Sequence, residues 1–218
     1  MIVALALLVA LPAVAQEAQP QTPPAGAEAA PATPVSPSPS APKPATVRVA
    51  LTTALGPIVL ELEKERAPVT TANFLRYVAD KRFDGTGFYR AMNLAPGYGL
   101  IQGGTRGDPK RVLPKIAHEP TTKTGLSHTD GVISMARAAP GTADGDFFII
   151  VGALTSLDAD PAKPGDNAGY AAFGRVVEGM ETVKAIMAAP TSPTEGIGVM
   201  KGQMIAAPVK IVAAKKLP

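Results

Sequence analysis

Few side chains in this sequence can act on a substrate, and their types narrow the chemistry before any fold is considered. There is no Cys and there are two His, His118 and His128. Thiol nucleophiles, thiolate metal sites and disulfide frameworks are therefore excluded, and a His-based metal centre has few ligands to draw on. His118 stands beside Glu119, and His128 lies close to Ser127, Asp130 and Ser134. The second group holds the ingredients of a Ser/His/Asp hydrolase, but no G-x-S-x-G elbow accompanies it and nothing marks an oxyanion hole. A loop hydrogen bond is the expected role of His128. Gly103-Gly104-Thr105-Arg106-Gly107 lacks the Gly-Lys-Ser/Thr ending of a phosphate cradle and reads as a tight turn. Asp158-Ala159-Asp160 begins like a calcium loop without the Gly and closing Glu that such a loop requires, so no metal is expected.

What remains is a permanent cation set among apolar and small residues. Gly87-Phe88-Tyr89-Arg90 is followed by Gly99-Leu100-Ile101-Gln102-Gly103-Gly104. Ile133-Ser134-Met135-Ala136-Arg137 and Gly145-Asp146-Phe147-Phe148-Ile149-Ile150 come next. Singly, Arg90 is a surface cation, Gln102-Gly103-Gly104 a bulge and Phe147-Phe148 a buried strand pair. In this order and with this spacing they resemble the cyclophilin family of peptidyl-prolyl isomerases. That family's habitual strings are Phe-His-Arg, Gln-Gly-Gly, Ser-Met-Ala-Asn and Gln-Phe-Phe-Ile, then Leu-Asp and Phe-Gly-x-Val. The last two stand here as Leu157-Asp158 and Phe173-Gly174-Arg175-Val176, and the resemblance runs from about Val47 to Ala213.

The resemblance implies an enzyme that rotates X-Pro bonds in proline-containing polypeptides, working as a monomer without a cofactor. It implies Arg90 as the catalytic arginine and Gln102 as the residue that orders it and binds substrate backbone. Phe148 becomes the floor of the proline pocket, with Leu100 and Leu157 as walls. Ala136 and Arg137 fall where the residue before proline binds. Tyr170, where many members carry His, joins Phe147 and Tyr98 in the implied substrate-binding set. The chemistry suits these residue types on its own terms. An X-Pro bond rotates over a resonance barrier of ~18–20 kcal/mol without any bond being broken. No nucleophile or matched acid/base pair is needed. An apolar hollow for the ring, anchors for the flanking chain and a fixed donor for the twisted amide are sufficient.

Several departures from the family strings bear on the site. Arg90 and Gln102 are twelve positions apart where the usual string separates them by eight. The inserted segment Met92–Gly99 leaves either Tyr98 or Gly99 at the pocket's aromatic position. Arg137 replaces Asn and is expected to add charge beside the groove. Asp146 replaces Gln and is placed to pair with a nearby arginine. Ser156 stands where many members have the Trp associated with cyclosporin binding, which implies weak binding of that cyclic peptide. The rearranged segment and Arg137 favour the alternative of a peptide-binding chaperone or scaffold with weak or no isomerase activity.

These residues need a scaffold. Val47–Thr52 and Ile58–Leu62 flank Gly56-Pro57 and read as a β-hairpin. Pro68 suits the first turn of a helix, with Phe74, Leu75 and Val78 recurring at helical spacing. Further short apolar segments follow at Gly87–Ala91, Leu100–Gln102, Gly131–Met135, Phe147–Val151, Ala171–Val176 and Val209–Ala213. A second helix spans Met180 to Met187 with Met180, Val183, Ile186 and Met187 inward. Six to eight short strands and two helices suggest a closed antiparallel barrel or a sandwich. The resemblance selects a mainly β fold, a closed eight-stranded antiparallel barrel capped by two α-helices.

The fold begins near Val47 and takes in residues 47–218. Residues 1–15, MIVALALLVALPAVA, form an apolar run ending in Ala13-Val14-Ala15, the pattern of a signal peptide with its cleavage site. Residues 16–46 carry nine Pro among 31 residues and no aromatic, so they read as an extended linker. The expected location is periplasmic or secreted, with no membrane span once the signal is cleaved. With 21 Lys+Arg against 18 Asp+Glu, a net charge of +3 makes no nucleic-acid footprint. Aromatics at 5% with no Trp offer no stacking platform for bases.

Overall fold

The computed structural model describes residues 43–218; the expected signal peptide and residues 16–42 of the expected linker lie outside the described residues. Lys43–Thr46 have no regular secondary structure, and Ala45 exchanges hydrogen bonds with Glu65 through its own N–H and carbonyl.

Nine strands form one antiparallel sheet: β1 (Val47–Thr53), β2 (Gly56–Leu62), β3 (Gly87–Ala95), β4 (Tyr98–Gly104), β5 (Val132–Met135), β6 (Asp146–Val151), β7 (Ala171–Glu178), β8 (Thr191–Ser192) and β9 (Met204–Lys216). Their order is β1-β2-β7-β5-β6-β4-β3-β9-β8, and β1 pairs with β9 as well. Eight strands thus close a ring, and the two-residue β8 is appended to β9 outside it. Among the described residues three α-helices accompany the barrel: α1 (Pro68–Ala79), the single turn α2 (Thr121–Thr124) and α3 (Met180–Met187). α2 and β8 have no counterpart in the sequence reading.

Alternation sorts the strands' side chains between two faces. The interior holds Phe88, Phe147 and Phe173 from the strands, met by Phe74 and Tyr77 of α1 and by Phe83 just after it. Their ring centroids lie 4.9–5.7 Å apart in tilted, edge-on or stacked pairs. Each such ring, fully buried, contributes roughly 1.5–3 kcal/mol of transfer free energy. Phe147, Ile149 and Val151 of β6 face this interior, whereas Phe148 and Ile150 face outward into a second apolar cluster with Leu100, Leu154 and Ala172. Loops covering the outer face bury β6 on both sides, which is why its sequence is an unbroken apolar run.

α1 starts on Pro68, but Ala67 at its N-cap offers no side-chain acceptor. The acceptor comes from far along the chain. The buried Glu119 carboxylate accepts from the N–H groups of Val69 (3.2 Å) and Thr70 (2.8 Å) and from the Thr70 hydroxyl (2.7 Å). In α3 the buried set is Thr182, Val183, Ile186 and Met187, with Met180 only partly covered at the helix start.

Candidate active site

β3 and β4 set the site's geometry. They form a hairpin whose tip is Pro96-Gly97, with Ala95 opposite Tyr98 and Asn93 opposite Gly99. The register shifts once between Phe88 and Arg90 and again between Asn93 and Ala95, and between these irregularities Arg90 lies directly across from Gln102 and Met92 across from Leu100. Gly99 is required at its position. Its φ is +155°, and an added Cβ would sit 1.9 Å from the Met92 carbonyl oxygen.

The register continues around the ring: Gln102 opposes Phe148 on β6, Phe148 opposes Ser134 on β5, and Ser134 opposes Ala172 on β7. Arg90, Gln102 and Phe148 therefore form one transverse row on the outer face. They line an open hollow of about 710 Å³, together with Met92, Leu100, Ala136, Arg137, Leu157 and Tyr170. Phe148 is 4% exposed, with the Tyr170 ring edge-on to it at 5.4 Å and the His128 ring nearly parallel at 6.0 Å.

Arg90 is held from two sides. Its Nη1 donates to Gln102 Oε1 (2.8 Å), while Nε and Nη2 both donate to Gln203 Oε1 (2.9 and 2.7 Å). Burial lowers its pKa from the ordinary value, and guanidinium stays charged regardless. Gln102 Nε2 donates to the Tyr89 hydroxyl (2.8 Å), which donates to Asp146 Oδ2 (3.0 Å). Burial, reinforced by the Asp146 charge, pushes the Tyr89 pKa far up, so its proton stays in place. Burial also raises the Asp146 pKa, against the hydrogen bond donated by the Arg106 N–H (2.7 Å).

Eight of the ten expected site residues meet in this hollow; two do not. Phe147 is fully buried in the barrel interior, because adjacent residues of a strand point to opposite faces. Tyr98 is absent from the lining and donates its hydroxyl to the Ala153 carbonyl (2.8 Å). Neither Tyr98 nor Gly99 lines the hollow, whereas Met92, the cross-strand partner of Leu100, does.

Arg137 adds no free charge to the groove. Its side chain is 3% exposed, pairs with Asp166 through Nη1 (2.6 Å) and Nη2 (2.9 Å), and donates to the Gly169 carbonyl. Its guanidinium carbon lies 4.9 Å from the Tyr170 ring centroid. Asp146, expected to meet an arginine, takes the backbone N–H of Arg106, while the Arg106 guanidinium covers the Tyr89 ring at 5.4 Å.

His128 closes the hydrolase question. Its Nε2 is 3.0 Å from Ser134 Oγ, and its Nδ1 meets Asp158, not Asp130. A carboxylate can only accept, so Nδ1 carries the proton and Nε2 accepts from Ser134. The constellation is a Ser-His-Asp chain, but Ser134 and His128 are both 0% exposed and no acyl group can reach them. Asp130 accepts instead from the Gly152 N–H (2.7 Å).

The lining and holding residues outside the expected set include Met92, Gln203, Val199 and Met200. Met92 was within reach, since it sits two positions beyond Arg90 on the same strand face. Gln203 is 113 residues from Arg90, and no local pattern marks it.

A family model described as cyclophilin type peptidyl-prolyl cis-trans isomerase/CLD matches residues 48–216. The chain is 36% identical over 175 residues to a peptidyl-prolyl cis-trans isomerase of Acinetobacter baylyi, covering 78% of this chain and 86% of that one. It is 38% identical over 152 residues to another of Streptomyces antibioticus, covering 68% and 87% respectively. Among solved structures, a cyclophilin type isomerase of Cryptosporidium parvum superposes with a TM-score of 0.64 at 22% identity, over 80% of this chain and 99% of that one. A structure of that protein in the presence of the dipeptide Ala-Pro gives 0.62 at 23% identity, over 78% and 99%. These last two likenesses speak to the fold.

Proposed function

The chain belongs to the cyclophilin-type peptidyl-prolyl cis-trans isomerase family, and from that premise we propose that it isomerises X-Pro bonds in exported polypeptides through Arg90. The observation that carries this reading is the transverse row of Arg90, Gln102 and Phe148 on one open groove. A proline ring seats on Phe148 between Leu100, Leu157 and Met92. The backbone around Ala136 meets the residue before proline. As the amide twists, resonance is lost and the lone pair localises on the prolyl nitrogen, where the Arg90 guanidinium donates. Gln102 and Gln203 hold that guanidinium still, so little reorganisation is needed at the moment of rotation. Arg137 acts at one remove, fastening the 158–169 loop and the Tyr170 ring beside Phe148.

Two features had pointed towards a peptide-binding module. The hairpin extension leaves the Arg90–Gln102 register intact, and the Arg137 charge is taken up by Asp166, so both are compatible with turnover. We take the monomer as the working unit.

The apolar run 1–15 and the Pro-rich segment after it support a periplasmic or secreted site of action on newly exported chains. Among the described residues no helix is long and apolar enough to cross a membrane. Cell fractionation with N-terminal sequencing of the full-length product tests this. A mature chain outside the cytoplasm that starts just after Ala15 is expected. Uncleaved protein confined to the cytoplasm would overturn it.

A further inference from the structure

Between Arg90 and Asp146 runs a chain of hydrogen bonds whose direction is fixed at both ends, by a guanidinium that can only donate and a carboxylate that can only accept. Asp146, ionised, can only accept. Its Oδ1 takes the Arg106 N–H (2.7 Å) and the Thr105 hydroxyl (3.4 Å), and its Oδ2 takes the Tyr89 hydroxyl (3.0 Å). Because the Tyr89 proton is committed to Asp146, its oxygen lone pairs must accept, and Gln102 Nε2 donates to them. The Gln102 amide is thereby fixed with Oε1 towards Arg90, the only orientation in which it can accept from the guanidinium. A half-turn of that amide would set an NH₂ group against another donor. Tyr89 and Asp146 stand where the family strings carry His and Gln, so the chain's terminus is built from residues those strings do not contain.

We propose that Tyr89 and Asp146 are positioning residues for the isomerisation, acting as one unit that locks the Gln102 amide and through it the Arg90 donor. The inference rests on Arg90 being the donor, as argued above. Neither residue needs to touch the proline. Their effect falls on kcat, since an amide free to flip misplaces the donor in the twisted state more than it weakens ring binding.

Acid should undo the device. Once the Asp146 carboxyl carries a proton it can donate, the Tyr89 end no longer enforces the direction of the chain, and the Gln102 amide is held from the Arg90 side alone. The groups facing this carboxyl are the Tyr89 hydroxyl from β3, the Thr105 hydroxyl and Arg106 N–H after β4, and the Asp144 carboxylate from its own loop. The Arg106 guanidinium lies over the Tyr89 ring, and Lys115 and Arg90 line the same groove. Burial and the like charge of Asp144 both favour the protonated form and, against the Arg106, Tyr89 and Thr105 hydrogen bonds, raise the Asp146 pKa from its ordinary value.

The test is exchange kinetics of the full chain on an Ala-Pro peptide, comparing Tyr89→Phe, Asp146→Asn and the double variant with Arg90→Ala. Loss of one net hydrogen bond should lower kcat in Tyr89→Phe about fivefold with KM little changed. Asp146→Asn should lose the acid limb of the wild-type kcat profile. In the double variant the losses should not multiply, because either change alone unlocks the amide. Multiplying losses, an unchanged acid limb in Asp146→Asn, or full kcat in Tyr89→Phe would each overturn the proposal. If Arg90→Ala alone kept full activity, it is the Arg90 reading that would fail. Both variants are near-isosteric, and the wild-type pH profile tests the acid limb without any variant.

Discussion

A single amide orientation carries much of the site's order. Gln102 accepts from Arg90 through one end and donates to Tyr89 through the other. Arg90, Gln102 and Phe148 were legible in the sequence because they sit in strings that keep their order. Leu100, Leu157, Ala136 and Tyr170 were legible for the same reason. Phe147 was misplaced because a doublet on a strand always splits between faces. Arg137 was read as a charge in the groove because its partner, Asp166, lies 29 positions away in a loop with no motif. Ser156 supplies the prediction at this scale. It is exposed on the turn Thr155–Leu157 and offers no aromatic surface where the family's Trp stands. Cyclosporin should therefore inhibit isomerase activity only weakly; sub-micromolar inhibition in a titration would contradict this.

At the scale of elements, the hairpin of β3 and β4 shows how twelve residues of separation and direct apposition coexist. The added residues lengthen the hairpin towards its tip, and Arg90 still faces Gln102. The first hairpin, α1 and α3 were readable from turn residues and apolar spacing. β9 was not: Val209–Ala213 marked its centre, but the strand runs from Met204 to Lys216 because it serves β3 first and β1 afterwards. No local pattern announces a strand that changes partners. The cap of α1 was equally hidden, since its acceptor lies about fifty residues downstream. Replacing Glu119 by Ala leaves two backbone donors and a hydroxyl short of a buried acceptor and should cost about 1–3 kcal/mol. Urea unfolding would show it as a lower midpoint, while an unchanged midpoint would mean that water caps the helix as well.

For the whole molecule, the Ser134–His128–Asp158 chain, with Ser134 and His128 fully buried, links stability to pH. Burial holds the His128 pKa below its ordinary 6.5, with the Asp158 hydrogen bond opposing it. Burial acts to raise the Asp158 pKa, but hydrogen bonds from Ser127 and His128 outweigh this and keep it below 3.8. In both cases the unfolded chain binds protons more readily than the folded one, so stability falls as pH falls. The His128 contribution is complete above pH 6.5 and is lost as pH drops towards its depressed folded value. The Asp158 contribution is lost only within the carboxylate range, where Asp146, with its raised pKa, works in the opposite sense. Urea midpoints should thus be lower at pH 5 than at pH 7, and His128→Gln, though less stable overall, should lose that difference. Equal midpoints in the wild-type protein would contradict the assignment.

The proposed mechanism turns on one guanidinium, that of Arg90, and the most direct test addresses it. Magnetisation exchange between the cis and trans forms of an Ala-Pro peptide can be followed by NMR with catalytic amounts of the full chain and of Arg90→Ala. Uncatalysed exchange takes ~10–100 s, so acceleration is unambiguous. The wild-type chain should accelerate exchange, and Arg90→Ala, still folded, should lose about two orders of magnitude of that rate, the scale of one preorganised donor. Near-full activity in the folded variant would contradict the account.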